Sequence, residues 1–309
     1  MARLRIGLIG WGTVGSAFGS LVAAGALPLE LACLAVRDAT RARQAGLPAG
    51  IPLVEPAAVA GAGVDAVVEL AGGVTGPLAW ARDALGRGVP YVTANKALLA
   101  THGDELAALA QENGGALLGS ASVGGGAPMI ETVACLAATG AISRLRGVLN
   151  ATTTSILSAM GEGRSYADAL REAQDAGYAE ADPSFDVDGH DAAQKLAILA
   201  GVAWGTFRAE SAVQCRGIRG LEVRQGQVVR LVAEATEDRL TVAPLELDAE
   251  DALGRTRGTE AALEVEVRAA GTFRISGPGA GGRATAGAVY ADLARLVAGE
   301  RPILFGGER

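Results

Sequence analysis

RLRIGLIG, at residues 3–10, is a short β-type run that leads straight into Gly10-Trp11-Gly12-Thr13-Val14-Gly15. SAFGSLVAAG follows with helix-like composition, and LELACLAVRD reads as a second strand. Strand, glycine turn, helix and strand in this order form the fingerprint of a dinucleotide-binding fold. One glycine allows the tight turn, one lets a pyrophosphate approach, and one packs helix on strand. Gly10, Gly12, Thr13, Val14 and Gly15 are therefore candidate cofactor contacts, with the free N–H groups of the helix N-terminus facing the phosphates.

A lone GxGxxG is weak in a chain with 44 glycines. Here the context supports it. VDAVVEL and VPYVTA look like further buried strands, and PLAWARDALGRG and KALLATHGDELAALAQENGG like the helices between them. Such alternation predicts a parallel, doubly wound sheet. Arg37 stands at the end of the second strand, ahead of Asp38. An acid there binds a ribose 2′-hydroxyl and favours NAD, whereas an arginine accommodates the 2′-phosphate of NADP. The order Arg-Asp leans toward NADP.

The 309 residues fit one large or two ordinary domains. A net charge of −7 argues against a sequence-independent nucleic-acid surface, which needs a basic face. Cys33, Cys135 and Cys215 are scattered and odd in number, so neither a zinc cluster nor a disulfide framework is expected, and a reduced, cytoplasmic setting fits. The immediate strand-like start leaves no room for a signal peptide. The uncharged stretch from Ile6 to Leu29 changes from strand to loop to helix and contains Pro28, so it is read as buried structure and not as a membrane span.

Among 27 basic residues, only Lys96 and Lys195 are lysines. Arginine stays protonated and cannot exchange a proton, while a buried lysine can. The two retained lysines are thus candidates for chemistry. Lys96 lies at a strand–helix junction, the carboxyl edge where ligands bind in open α/β sheets. Lys195 lies on a helix beginning near Asp191. Asp191 and Lys195 share a face with Ile198, Leu199 and Val202, while His190, Gln194 and Gly201 lie elsewhere. Such i,i+4 pairs usually sit in solvent; on an apolar stripe one reads as the polar end of a pocket. Five acids precede the lysine in GYAEADPSFDVDGHDAAQKLAILA. A calcium-loop alignment fails, because it puts Lys195 where a bidentate glutamate is needed. Clustered acids opposite a lysine suit an amino-acid substrate instead.

GLIGWGTVGSAF, VVELAGG, VTANKALLA, ASVGGGAP, the acid–lysine block and GPGAGGRATAGAVYADL together resemble homoserine dehydrogenase, in the family's order and across nearly the whole chain. The resemblance implies NAD(P)-linked interconversion of L-homoserine and L-aspartate 4-semialdehyde. It implies Lys195 as proton donor and acceptor, and Lys96 as a second active-site lysine between cofactor and substrate. Glu180 and Asp191 look like the substrate-binding acids, with Tyr178, Asp186 and Thr152 nearby. Gly72 and Gly281 look like further cofactor contacts. A sodium ion would sit on the main-chain carbonyls of Ser120, Val123, Gly125 and Ala127.

The implied fold is α/β. A Rossmann-type domain (1–118) precedes a central α+β catalytic and dimerisation region (119–282), and a C-terminal helix (283–309) returns to the first domain. A homodimer without a regulatory domain is expected. NATTTSIL departs from the family's usual NGTTNYIL at Ala151, Thr154 and Ser155, and Ser120 replaces a glutamate. These departures leave two rivals in view: a paralogous dehydrogenase of another small amino or hydroxy acid, and a non-catalytic nucleotide-binding regulator.

Overall fold

The computed structural model describes residues 3–139 and 142–305. Contacts divide the chain into two compact units, Met1–Gly126 with Gly281–Arg309, and Ala127–Ala280.

The first unit runs β1 (Leu4–Ile9), α1 (Thr13–Ala24), β2 (Leu29–Ala35), α2 (Ala39–Gln44), β3 (Ala66–Glu69), α3 (Thr75–Gly86), β4 (Tyr91–Thr93), α4 (Lys96–Glu112) and β5 (Leu117–Leu118). The strands form one parallel sheet in the order β2-β1-β3-β4-β5. Single-residue bridges, Leu34 to Leu53 and Leu117 to Ile303, extend its two edges. Strands covered on both faces read as continuous apolar runs, and all of β3 is buried. The chain places β2 on one side of β1 and β3 on the other. The strand order therefore reverses between β1 and β3, and the crevice at their carboxyl ends is the natural ligand site. Phe18 of α1, Ile6, Leu8, Val68 and Val92 build the core with Ala286, Val289, Leu293 and Leu296 of the closing helix Gly282–Val297.

The second unit contains α5 (Met129–Ala137), β6 (Ile142–Val148), α6 (Ala151–Gly161), α7 (Tyr166–Asp175), α8 (Ser184–Val187), α9 (His190–Trp204), β7 (Gln214–Cys215), β8 (Val228–Ala235), β9 (Leu240–Leu247), β10 (Glu260–Val267) and β11 (Gly271–Pro278). The closing helix of the first unit is α10. The second sheet has the order β11-β10-β6-β8-β9-β7, antiparallel except for the short β7–β9 pair. The alternating stretches form the hairpins β8–β9 and β10–β11. β6 fills the centre between them, and its end delivers Leu149 and Asn150 to the start of α6.

Two left-handed glycines bound α9: Gly189 at its N-cap (φ +91°) and Gly205 at its C-cap (φ +65°). A Cβ on Gly189 would lie 2.7 Å from the Cys215 sulfur, so the entry to this helix tolerates only glycine in both conformation and space. The helix is buried beyond the single face expected from the sequence. Gln194 and Gly201, expected off the apolar stripe, are buried too, because β6, β8 and β9 pack on α9 along with α5.

Arg230 on β8 is only 2% exposed. Its guanidinium donates to three main-chain carbonyls, Val229 (2.7 Å), Gly254 (2.9 Å) and Thr256 (3.2 Å), and so ties the β9–β10 connection to the sheet. Burial, reinforced by nearby Arg257, pulls its pKa down to about 10, which leaves it charged at neutral pH. Arg257 also donates to the Gly254 and Thr256 carbonyls. Arg230→Met should therefore orphan chiefly the Val229 carbonyl and lower unfolding free energy by roughly 1–3 kcal/mol. Urea unfolding measures this; an unchanged midpoint would show that Arg257 carries the loop alone.

Candidate active site

The β1–α1 turn is shaped by backbone proximity. Gly10 has φ +105°, and a Cβ there would meet the Leu70 carbonyl oxygen at 2.8 Å. A Cβ on Gly15 would come within 2.4 Å of the Gly10 carbonyl oxygen. Neither obstacle is a side chain that could move aside, so both positions demand glycine. Gly12, the N-cap of α1, has open space around its missing Cβ, and no side chain caps the helix. No acid occupies the first turn. This leaves a bare helix N-terminus at the sheet's switch point, a favourable place for an anion. Gly282 packs on Thr13, and Gly281, the N-cap of α10, has φ +125°.

Arg37 and Asp38 are exposed just past β2. The Asp38 carboxylate accepts from Arg41 N at 2.9 Å and caps α2.

Across the crevice, β3 ends in Glu69, which is fully buried. Its Oε1 accepts from the main-chain N–H groups of Ala71 (2.7 Å) and Gly72 (2.9 Å). Its Oε2 accepts from Thr93 Oγ1 (2.8 Å) and Asn95 Nδ2 (3.3 Å). Asn95 also donates to the Gly73 carbonyl at 2.6 Å, while its Oδ1 accepts from Leu98 N and caps α4. One carboxylate thus fixes the Gly72–Gly73 turn, where both glycines have positive φ, and the junction at which Lys96 opens α4. The sequence reading missed Glu69 and Asn95. The available signal was an asparagine ahead of an apolar helix, an N-cap pattern.

Lys195 and Asp191 lie in the second unit, one turn apart on α9. Lys195 Nζ donates to Asp191 Oδ2 and to the Leu149 carbonyl, both at 2.7 Å. The side chains are 14% and 8% exposed, so the pair is largely withdrawn from water. Asp191 stands in the first turn of α9, where the helix dipole favours negative charge. Asn150, the N-cap of α6, joins the pair: its Nδ2 donates to Asp186 Oδ1 (2.7 Å) and Asp191 Oδ2 (2.8 Å). Thr152 Oγ1 lies 2.8 Å from Asp186 Oδ2 and 2.6 Å from the Tyr178 carbonyl oxygen, with one proton to donate to either.

Asp186, Asp191, Thr152 and Lys195 are therefore brought together, as is the Tyr178 main chain. The Tyr178 ring is 41% exposed, and Glu180 is exposed on the same loop. Thr154 turns its hydroxyl back to the Asn150 carbonyl at 2.8 Å. Asp188 and Ser184 engage Arg219, and Gln194 shares Glu210 with His190. Ser120 donates from N to Asp292 Oδ2 at 3.1 Å, and the Ala127 carbonyl accepts from Met129 N at 2.7 Å. Among the described residues, no cluster of His, Cys, Asp and Glu could hold a metal ion, and no helix is long and apolar enough to cross a membrane.

A bare helix N-terminus at the switch point of a parallel sheet suits a dinucleotide, and the companion unit carries an acid–lysine pair largely withdrawn from water. The comparisons agree. Residues 10–118 match the model for the homoserine dehydrogenase NAD-binding domain, and residues 128–294 that for homoserine dehydrogenase. Homoserine dehydrogenase of Bacillus subtilis is 34% identical over 96% of this chain and 73% of its own length. That of Synechocystis is 36% identical over 95% and 73%. The crystal structure of a homoserine dehydrogenase from Thiobacillus denitrificans superposes with a TM-score of 0.90 at 33% identity, covering 96% of this chain and 74% of that one. A hyperthermophilic archaeal homoserine dehydrogenase in complex with NADPH gives 0.88 at 28% identity, covering 97% and 99%. The chain belongs to the homoserine dehydrogenase family.

Glu69→Gln tests the first unit. An amide end cannot accept from the four donors that the carboxylate holds, so the Gly72 turn or Asn95 loses its acceptor. The KM for the dinucleotide should rise about tenfold, the worth of one such hydrogen bond. A KM equal to wild type, measured by steady-state kinetics, would separate this turn from cofactor binding.

Proposed function

We propose that the chain interconverts L-homoserine and L-aspartate 4-semialdehyde, with Lys195 as the acid–base group. The observation that carries the reading is the withdrawn Lys195–Asp191 pair, with Asp186 beside it, on a helix otherwise packed as core. The surplus negative charge of two acids over one lysine suits a substrate ammonium group. Glu180, exposed on the adjoining loop, completes the proposed substrate acids, and Thr152 and Tyr178 line the same place.

The residues of the first unit fit a dinucleotide. The uncapped N-terminus of α1, the open space at Gly12 and the crowded backbone at Gly10 and Gly15 are what a pyrophosphate requires. Thr13, Val14, Gly72, Lys96 and Gly281 are proposed to complete the cofactor contacts. A bound dinucleotide would supply hydride exchange at the alcohol carbon of the substrate. In aldehyde reduction, the Lys195 ammonium donates a proton to the carbonyl oxygen as the alcohol forms. In the reverse direction its amine takes the hydroxyl proton. The Leu149 carbonyl and Asp191 hold Nζ between turnovers. Lys96, opening α4, is proposed as the second active-site lysine.

Asp38 is occupied as a helix cap while its neighbour Arg37 is exposed. This supports NADP as the preferred cofactor. The sodium ion on the glycine-loop carbonyls, the homodimer, the cytoplasmic setting and the division of roles at residues 118 and 282 belong to this reading through the resemblance.

The purified protein should generate NADPH absorbance when given NADP⁺ and L-homoserine at alkaline pH. Lys195→Arg keeps the charge but cannot exchange a proton with the substrate oxygen, and should lower kcat roughly 10²–10⁴-fold, the span of a positioned acid–base group. Activity on another hydroxy acid but not on homoserine would replace the substrate assignment, and near-normal kcat in the variant would remove Lys195 from proton transfer.

Arg37→Ala should raise KM for NADP⁺ more than for NAD⁺. Equal effects in steady-state assays with each cofactor would show that Arg37 does not meet the 2′-phosphate.

A further inference from the structure

Asn150 is 4% exposed, and both ends of its amide are engaged. The two N–H groups go to Asp186 Oδ1 and Asp191 Oδ2. The Oδ1 accepts from Thr153 N (2.8 Å) and Thr153 Oγ1 (2.9 Å), closing the first turn of α6. Asp191 Oδ2 is thus shared by Asn150 Nδ2 and Lys195 Nζ at nearly equal distances, 2.8 Å and 2.7 Å.

We propose that Asn150 is a positioning residue: it fixes Asp186 and Asp191 relative to each other and holds Asp191 in place while Lys195 moves between that carboxylate and the substrate oxygen. The inference rests on the function proposed above. A lysine that serves a substrate must give up part of its hold on its ion-pair partner. The Asn150 bond to Asp191 comes from a different element and does not depend on where Nζ points, so the carboxylate keeps its aim through the exchange. An amide suits this task better than a charged group. A lysine or arginine at position 150 would neutralise the surplus negative charge that a substrate ammonium needs. An acid would repel both neighbours and tighten their grip on Lys195. The asparagine bridges the two carboxylates without adding charge.

Asn150→Asp separates this role from capping. The new carboxylate still accepts from Thr153 N, so α6 keeps its cap, but oxygen replaces the N–H₂ facing Asp186 and Asp191. With homoserine and NADP⁺, kcat should fall roughly 10- to 100-fold, the worth of a hydrogen bond to a charged group. Dinucleotide affinity, read by fluorescence titration, should stay close to wild type, while the melting temperature falls because a third carboxylate faces Asp186 and Asp191. Asn150→Ser keeps a hydroxyl cap but is too short to span both acids. It should raise the homoserine KM and lower kcat with a smaller loss of melting temperature, since it adds no charge, and it carries the comparison alone if the aspartate variant does not fold. Folded variants with kcat and homoserine KM within about twofold of wild type overturn the proposal and leave Asn150 a cap only. A wild-type protein inert toward homoserine, by contrast, overturns the proposed function and not this arrangement, whose effect is then read on whichever hydroxy acid the protein oxidises.

Discussion

A lysine withdrawn from water must find its hydration in the protein, and much of the second unit supplies it. Nζ of Lys195 replaces water with the Leu149 carbonyl and an Asp191 oxygen, both at 2.7 Å. The cost of burying such an ion pair is recovered only when its geometry is good and its remaining lone pairs are used. That requirement places the end of β6 against α9, sets Asn150 as the entry to α6, and recruits Thr152 and Asp186. Glycine at position 189 permits it, since α9 begins where any larger residue would strike Cys215.

The two units solve the same problem twice. In each, an asparagine stands between a strand and the helix that follows it, Asn95 after β4 and Asn150 after β6. In each, the side-chain oxygen caps the helix while the nitrogen reaches carboxylates, buried Glu69 in one case and half-buried Asp186 with buried Asp191 in the other. An amide suits both jobs because it donates and accepts at once and carries no charge. Secondary structure and site geometry are fixed by one residue, so neither can drift without the other.

The sequence exposed much of this and hid the rest for physical reasons. The β1–α1–β2 order follows from local signals: an apolar run, three glycines at fixed spacing, then helix-forming residues. Lys96 at a helix start and Lys195 one turn from Asp191 are equally local. β6 was not legible. ISRLRGV carries two arginines, Arg144 and Arg146, that pair with Glu234 and Glu264 on neighbouring strands and with Asp251 in the β9–β10 connection, so an interior strand looks polar. Glu69 and Asn150 were invisible as site residues because the side chains that Glu69 accepts from and the acids that Asn150 donates to are 24 to 41 residues away. No spacing rule links such pairs; only the fold does. The breadth of α9 burial was missed because alanine and glycine carry little hydropathy contrast around a helix.

The pair Asn150-Ala151 has a consequence for how the molecule ages. Asparagine loses its amide when the next main-chain nitrogen attacks its side-chain carbonyl, and asparagine is among the thermolabile residues. Glycine next in sequence makes that attack easiest, and the family's usual NGTTNYIL has glycine there. Here a methyl group stands in the way, and Ala151 is already held in the first turn of α6. Alanine at position 151 therefore shields the asparagine from slow conversion to aspartate. What reads as a departure from pattern also lengthens the chemical lifetime of the catalyst.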